Sequence, residues 1–109
     1  MAYNEDLAQR VREEMSALPG YVEKKMFGGV GFMLQGNMAC GVNGTDFIVR
    51  VGPERYESAL AEPHTKLFDM TGRPMKGWVV VLAEGYETNA ALKAWVQRGV
   101  DHALSLPAK

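Results

Sequence analysis

Met38-Ala39-Cys40-Gly41-Val42-Asn43-Gly44-Thr45-Asp46-Phe47-Ile48-Val49-Arg50-Val51 decides the fold of this chain. Two apolar runs flank Asn43-Gly44, a pair whose members both tolerate positive φ and therefore close tight hairpins. The spacing predicts strands over Met38 to Val42 and over Phe47 to Val51. Upstream, Gly36-Asn37 predicts a second hairpin turn, entered from an extended segment between Val22 and Gln35. Gly28-Gly29 interrupts that segment, where a bulge or sharp twist is expected. Three strands joined by short turns make an antiparallel meander.

Outward from the meander the period changes. Leu7, Val11, Met15 and Leu18 recur at helical spacing, with Asn4 placed to cap the start and Glu5 and Asp6 in the first turn. Asp6, Arg10 and Glu14 are spaced as an i,i+4 ladder on the wet side, and Pro19-Gly20 ends the helix. After the meander, Gly52-Pro53 opens a short helix with Tyr56, Ala59 and Leu60 inward. Strands are expected over Lys66 to Met70 and Gly77 to Ala83, separated by the loop Thr71-Gly72-Arg73-Pro74-Met75-Lys76. A last helix, capped by Thr88, buries Leu92, Trp95, Val96, Gly99 and Ala103.

The expected architecture is α+β, a two-layer sandwich of five antiparallel strands in the order α-β-β-β-α-β-β-α, forming one domain over residues 1–109. A half-wet strand should alternate polar residues with apolar ones, and these strands do not. Val30, Phe32 and Leu34 alternate with Gly31 and Met33; Met38, Cys40 and Val42 alternate with Ala39 and Gly41; Trp78 to Leu82 has no polar position. Helices on one side leave a second apolar face, and large apolar patches mark interfaces.

Composition narrows the function. The 109 residues are 47% apolar and 23% charged, as in an ordinary globular domain. The longest apolar run, Trp78 to Ala83, is far below the roughly 20 residues that span a bilayer. The N-terminus lacks a signal-peptide pattern and the single Cys40 precludes an internal disulfide, so a cytoplasmic setting is expected. Twelve basic residues meet 13 acidic ones, for a net charge of −1, which argues against a domain that grips nucleic acid by its phosphates alone.

No catalytic constellation stands out. Gly28-Gly29-Val30-Gly31 lacks the third glycine and following helix of a dinucleotide cradle. Cys40 lies mid-strand in an apolar run, as a buried structural thiol does. His64 and His102 lie at no metal-ligand spacing with each other or with Cys40, and Glu13-Glu14 point about 100° apart on a helix. No cofactor, metal or small-molecule substrate is indicated. Lys24, Lys25, Arg50, Arg73 and Lys76 are the candidates for binding an anionic group or an acidic partner surface.

Lys25-Met26-Phe27-Gly28-Gly29-Val30-Gly31-Phe32-Met33, Gly36-Asn37-Met38, Arg50-Val51-Gly52, Phe68-Asp69-Met70-Thr71-Gly72-Arg73-Pro74-Met75, Gly77-Trp78 and Leu92-x-x-Trp95-Val96 together resemble the N-terminal domain of the TfoX/Sxy competence regulators. The resemblance covers nearly the whole chain and implies a two-layer α/β fold. It also implies a non-enzymatic role like that of the family's regulators, which act as co-activators of DNA-uptake genes alongside the cyclic AMP receptor protein. Two-domain members continue into a helical second domain, whereas this sequence ends at Lys109 and is expected to be a stand-alone first domain. The expected function is a protein-binding module, docking on a protein partner or on a second copy through the sheet face. Direct nucleic-acid binding through a local basic patch is the alternative.

Overall fold

The computed structural model describes residues 4–26, 28–69 and 75–108, with Met26 described by its backbone alone. Helix α1 (Glu5–Met15) begins where Asn4 Oδ1 accepts the Leu7 N–H at 3.1 Å and has Leu7, Val11 and Met15 buried. It stops at Met15, so Leu18 packs on the core from beyond the helix end. Strands β1 (Tyr21–Met26), β2 (Gly29–Leu34), β3 (Asn37–Asn43) and β4 (Asp46–Arg50) follow. A 3-10 turn (Pro53–Arg55) leads into α2 (Tyr56–Leu60), then β5 (Thr65–Leu67) and β6 (Trp78–Val81). A second 3-10 turn (Ala83–Gly85) precedes α3 (Asn89–Ser105), whose Ala91 N–H is capped by Thr88 Oγ1 at 3.1 Å.

The sheet is antiparallel throughout, in the order β1-β2-β3-β4-β6-β5. It has six strands, not the five expected, and the helices and strands run α-β-β-β-β-α-β-β-α. The segment expected as one bulged strand is two strands, because the chain reverses at Gly28 (φ +78°) and Met26 pairs with Gly29. A positive φ that glycine adopts without a Cβ clash turns the chain here instead of bending it. The bulge lies further on, between Phe32 and Met33 against β3. Both hairpin turns are displaced by one residue from expectation. Gln35 and Gly36 (φ +53° and +84°) form the first, and Gly44-Thr45 form the second, inside the pair Asn43↔Asp46.

Opposite residues of an antiparallel pair share a face, so the register sorts the side chains. Val30, Phe32, Cys40, Val42, Phe47, Val49, Val79 and Val81 form the face that packs on the helices. Leu7, Val11 and Met15 of α1, Ala59 of α2 and Leu92, Trp95, Val96, Val100 and Ala103 of α3 close over it. Complete burial of a side chain as large as Phe32 or Phe47 stabilises the fold by about 1.5–3 kcal/mol. Tyr86 meets Phe47 edge-on at 6.0 Å between ring centroids, and its hydroxyl donates to the Thr45 carbonyl at 2.8 Å. Asn37, the one buried polar side chain among the described residues, donates from Nδ2 to the Pro107 carbonyl at 3.0 Å and pins the chain beyond α3 to β3.

The other face carries Val22, Lys24, Gly31, Met33, Met38, Gly41, Ile48, Arg50, Trp78, Val80 and Lys66. Ile48 and Val80 are cross-strand partners only 5% and 3% exposed, yet they stand outside the core that joins the three helices. The centre of this face is therefore covered within the chain. Its apolar exposure lies at the edge, where Val22 is 51% accessible.

Candidate functional site

Alternation along a strand decides which of the candidate cations can act together. Lys24 pairs with Gly31 and Lys25 with Val30, so the two exposed lysines leave β1 on opposite faces. Arg50 is three strands away in β4, about 14 Å across the sheet. Its guanidinium carbon lies 5.3 Å from the ring centroid of Trp78, its cross-strand partner. This cation–π contact tolerates partial burial better than a free charge does. Lys76 is exposed in the turn that enters β6, beside Gly77, whose carbonyl accepts the Val51 and Gly52 N–H groups at 2.8 and 3.0 Å. Arg73 lies outside the described residues. Arg50 and Lys76 thus sit at one end of β4 and β6, and the lysine pair at the far edge of the sheet; the geometry does not gather the described candidates into one patch.

The register exposes a cluster that the sequence reading missed. Phe68 lies 6.0 Å from Trp78 by ring centroids, so Phe68, Trp78 and Arg50 form a row of half-buried side chains on the face away from the helices. Val22, Met33 and Met38 continue the apolar surface along β1, β2 and β3. Met38 folds over glycine backbone: a Cβ on Gly41 would lie 2.6 Å from its terminal methyl carbon. The parity of Trp78 against Ile48 and Arg50 carried this information, but only once the strand partners were fixed.

The β1 edge has its own electrostatics. Arg12 of α1 donates from Nε to Glu23 Oε2 at 2.6 Å and from Nη2 to Glu23 Oε1 at 2.8 Å, a two-pronged grip. The Arg12 hydrogen bond is the main reason that the Glu23 carboxyl sits below the usual carboxylate range. Tyr21 stacks on Phe32 at 6.5 Å, and desolvation drives its phenol upward. With Glu23 neutralised by Arg12, the charges that β1 offers to solvent are those of Lys24 and Lys25.

The residues weighed for chemistry are placed separately. Cys40 is fully buried, its Sγ 3.6 Å from Met15 Sδ, and desolvation pushes its thiol up. His64 is exposed in the turn before β5, with φ +63°, and its carbonyl accepts the Leu82 N–H at 2.7 Å. His102 packs on Gly52, where a Cβ would come 2.5 Å from Nδ1. Burial foremost, and then the Arg50 charge, lowers the pKa of His102, while Glu54 acts the other way. A cleft of about 400 Å³ opens beside it, lined by Gly52, Glu54, Arg55, Arg98, Asp101 and His102. Helical period could have revealed one wall, since Arg98, Asp101, His102 and Ser105 recur at spacings of three and four. Among the described residues there is no group of three or more metal-ligating side chains, and no helix long and apolar enough to cross a membrane.

Compared with known protein families, the chain matches the model described as the TfoX N-terminal domain over residues 13–103. Compared with curated proteins, it gives no match.

Proposed function

The chain belongs to the TfoX N-terminal domain family, and from that premise we propose that it is a non-enzymatic, cytoplasmic protein-binding module that serves the regulation of transcription or competence. The observation that carries this reading is the rim of the sheet face turned away from the helices, around its buried centre at Ile48 and Val80. Met33, Met38, Phe68 and Trp78 are half-buried around it and Val22 is exposed at its border, a Met-rich and aromatic surface of the adaptable kind that docks other proteins. A protein partner or a second copy would occupy it.

Two further observations support the assignment. The one thiol able to act as a nucleophile is buried against Met15, away from water and with a raised pKa, the opposite of a reactive cysteine. The described cations diverge over the sheet, which does not favour the nucleic-acid reading.

Affinity capture from the native cell with the wild-type chain and with Met33→Glu and Trp78→Ala variants tests the proposal. Specific partners should be recovered with the wild type and lost with variants that keep the wild-type circular dichroism. A chain that runs as a strict monomer by light scattering and captures nothing would defeat it, and a mobility shift of DNA at low salt would favour the alternative.

A further inference from the structure

We infer that the outer edge of β1 receives an extended acidic segment of a partner protein as a seventh strand; this rests on the protein-binding reading and names where and what the module binds. The sheet ends on β1 at one side and on β5 at the other. β5 is three residues long, and Thr65 Oγ1 at its start is occupied by the carbonyls of Leu60 and Glu62 at 3.2 and 2.8 Å. β1 is six residues long, about 20 Å of strand, and among the described residues β2 is the one strand that pairs with it. Alternation turns the backbone groups of Tyr21, Glu23 and Lys25 outward; the Tyr21 N–H is taken by the Leu18 carbonyl at 3.3 Å, and the outward N–H and C=O groups of Glu23 and Lys25 form the template for another strand.

The charge on this edge selects the occupant. Glu23 is held by Arg12, and among the described residues Lys24 and Lys25 have no ion-pair partner; they stand one on each face of the strand. Lysines on an edge repel strands that carry the same charge, and a second copy brings the same lysines. An acidic strand is attracted. Because consecutive residues of a strand face opposite ways, two adjacent carboxylates on the incoming segment meet Lys24 and Lys25 together. Val22, the most exposed large apolar side chain among the described residues, asks for an apolar residue two positions further along. Read antiparallel to β1, the partner pattern is acidic-acidic-x-apolar.

The test is an NMR titration of the full 15N-labelled chain with a ten-residue peptide that carries Glu-Glu-Thr-Val among β-branched residues. The expected result is amide shift changes concentrated over residues 21–26, with affinity roughly tenfold weaker for the double variant Lys24→Glu/Lys25→Glu. A Lys-Lys-Thr-Val peptide should regain binding to that variant. A peptide N-methylated at alternate amides should fail to bind, since strand addition needs its backbone donors. Equal binding of the methylated peptide, shifts centred on Met33 and Trp78, or no binding of the acidic peptide would each overturn the edge assignment. A self-dimer with protected β1 amides would overturn it in favour of a second copy. Partner capture that Met33→Glu abolishes but Lys24→Glu/Lys25→Glu leaves intact would leave the protein-binding reading standing and the edge refuted.

Discussion

Gly99 of α3 lies so close to the carbonyl oxygen of Ala39 in β3 that a Cβ on Gly99 would run into it, with Val49 Cγ1 also at 3.5 Å. The helix can approach the middle of the sheet this closely only because position 99 has no side chain. Gly99→Ala gains up to about 1 kcal/mol of helix propensity but overpacks the contact, so a net loss of roughly 2 kcal/mol is expected. The urea midpoint measures it; an unchanged midpoint would show that α3 shifts freely on the sheet.

The Arg12–Glu23 grip predicts an acid limb. The folded-state pKa of Glu23 is depressed below its unfolded value, so its stabilisation is present above the unfolded pKa and is lost as the pH falls through the folded one. Glu23→Gln should cost about 1 kcal/mol at neutral pH, modest because both side chains are about 30% accessible, and should flatten the pH dependence of the urea midpoint in acid. An acid limb identical to the wild type would refute the coupling.

His102 acts in a higher pH range. Burial on Gly52 and the Arg50 charge lower its folded pKa against the ordinary value of 6.5, with Glu54 opposing. The chain is therefore most stable with His102 neutral, and stability falls as the pH drops below about 6.5, until the folded state also takes up the proton. His102→Gln should remove this slope between pH 7 and 5 in thermal melts, leaving the lower limb due to Glu23.

Arg10 ties α1 to the approach to α3. Its Nη2 donates to the Tyr86 carbonyl at 2.7 Å and to the Glu87 carbonyl at 3.3 Å. Arg10→Ala should destabilise by roughly 1–2 kcal/mol, as for a charged hydrogen-bond donor, and should speed amide exchange around residues 86–89. Exchange unchanged there would assign the loss to α1 alone.

Cys40 should resist alkylation in the folded chain and react at the rate of opening. Cys40→Ser, which places a hydroxyl in an apolar core, should cost about 2 kcal/mol and more than Cys40→Ala. Rapid native-state labelling would show a path to the sulfur that the packing does not contain.

Local chemistry made much of this fold legible. Asn4 and Thr88 cap their helices as their side chains dictate, and the inward stripe of α3 follows its period. The meander was readable because Gly36 and Gly44 adopt the positive φ values that hairpin turns require, although each turn sits one residue from where its dipeptide placed it. Arg10 was expected in a ladder with Asp6 and Glu14; it instead bonds to carbonyls 76 and 77 residues away, partners that helical spacing cannot show. The candidate cations were visible as residues but not as an arrangement.

By itself, the sequence determined the caps of the first and last helices, the two meander turns to within one residue, and the α+β antiparallel class, because these follow from propensity and period within a few residues. Only the tertiary structure decided that Gly28 splits one long segment into two strands, that Lys24 and Lys25 point to opposite faces, and that Arg50 lies on Trp78. The physical reason is register: strand side chains alternate with a period of two, so a face is assigned only when the partner strand is known, and a slip of one residue reverses every assignment.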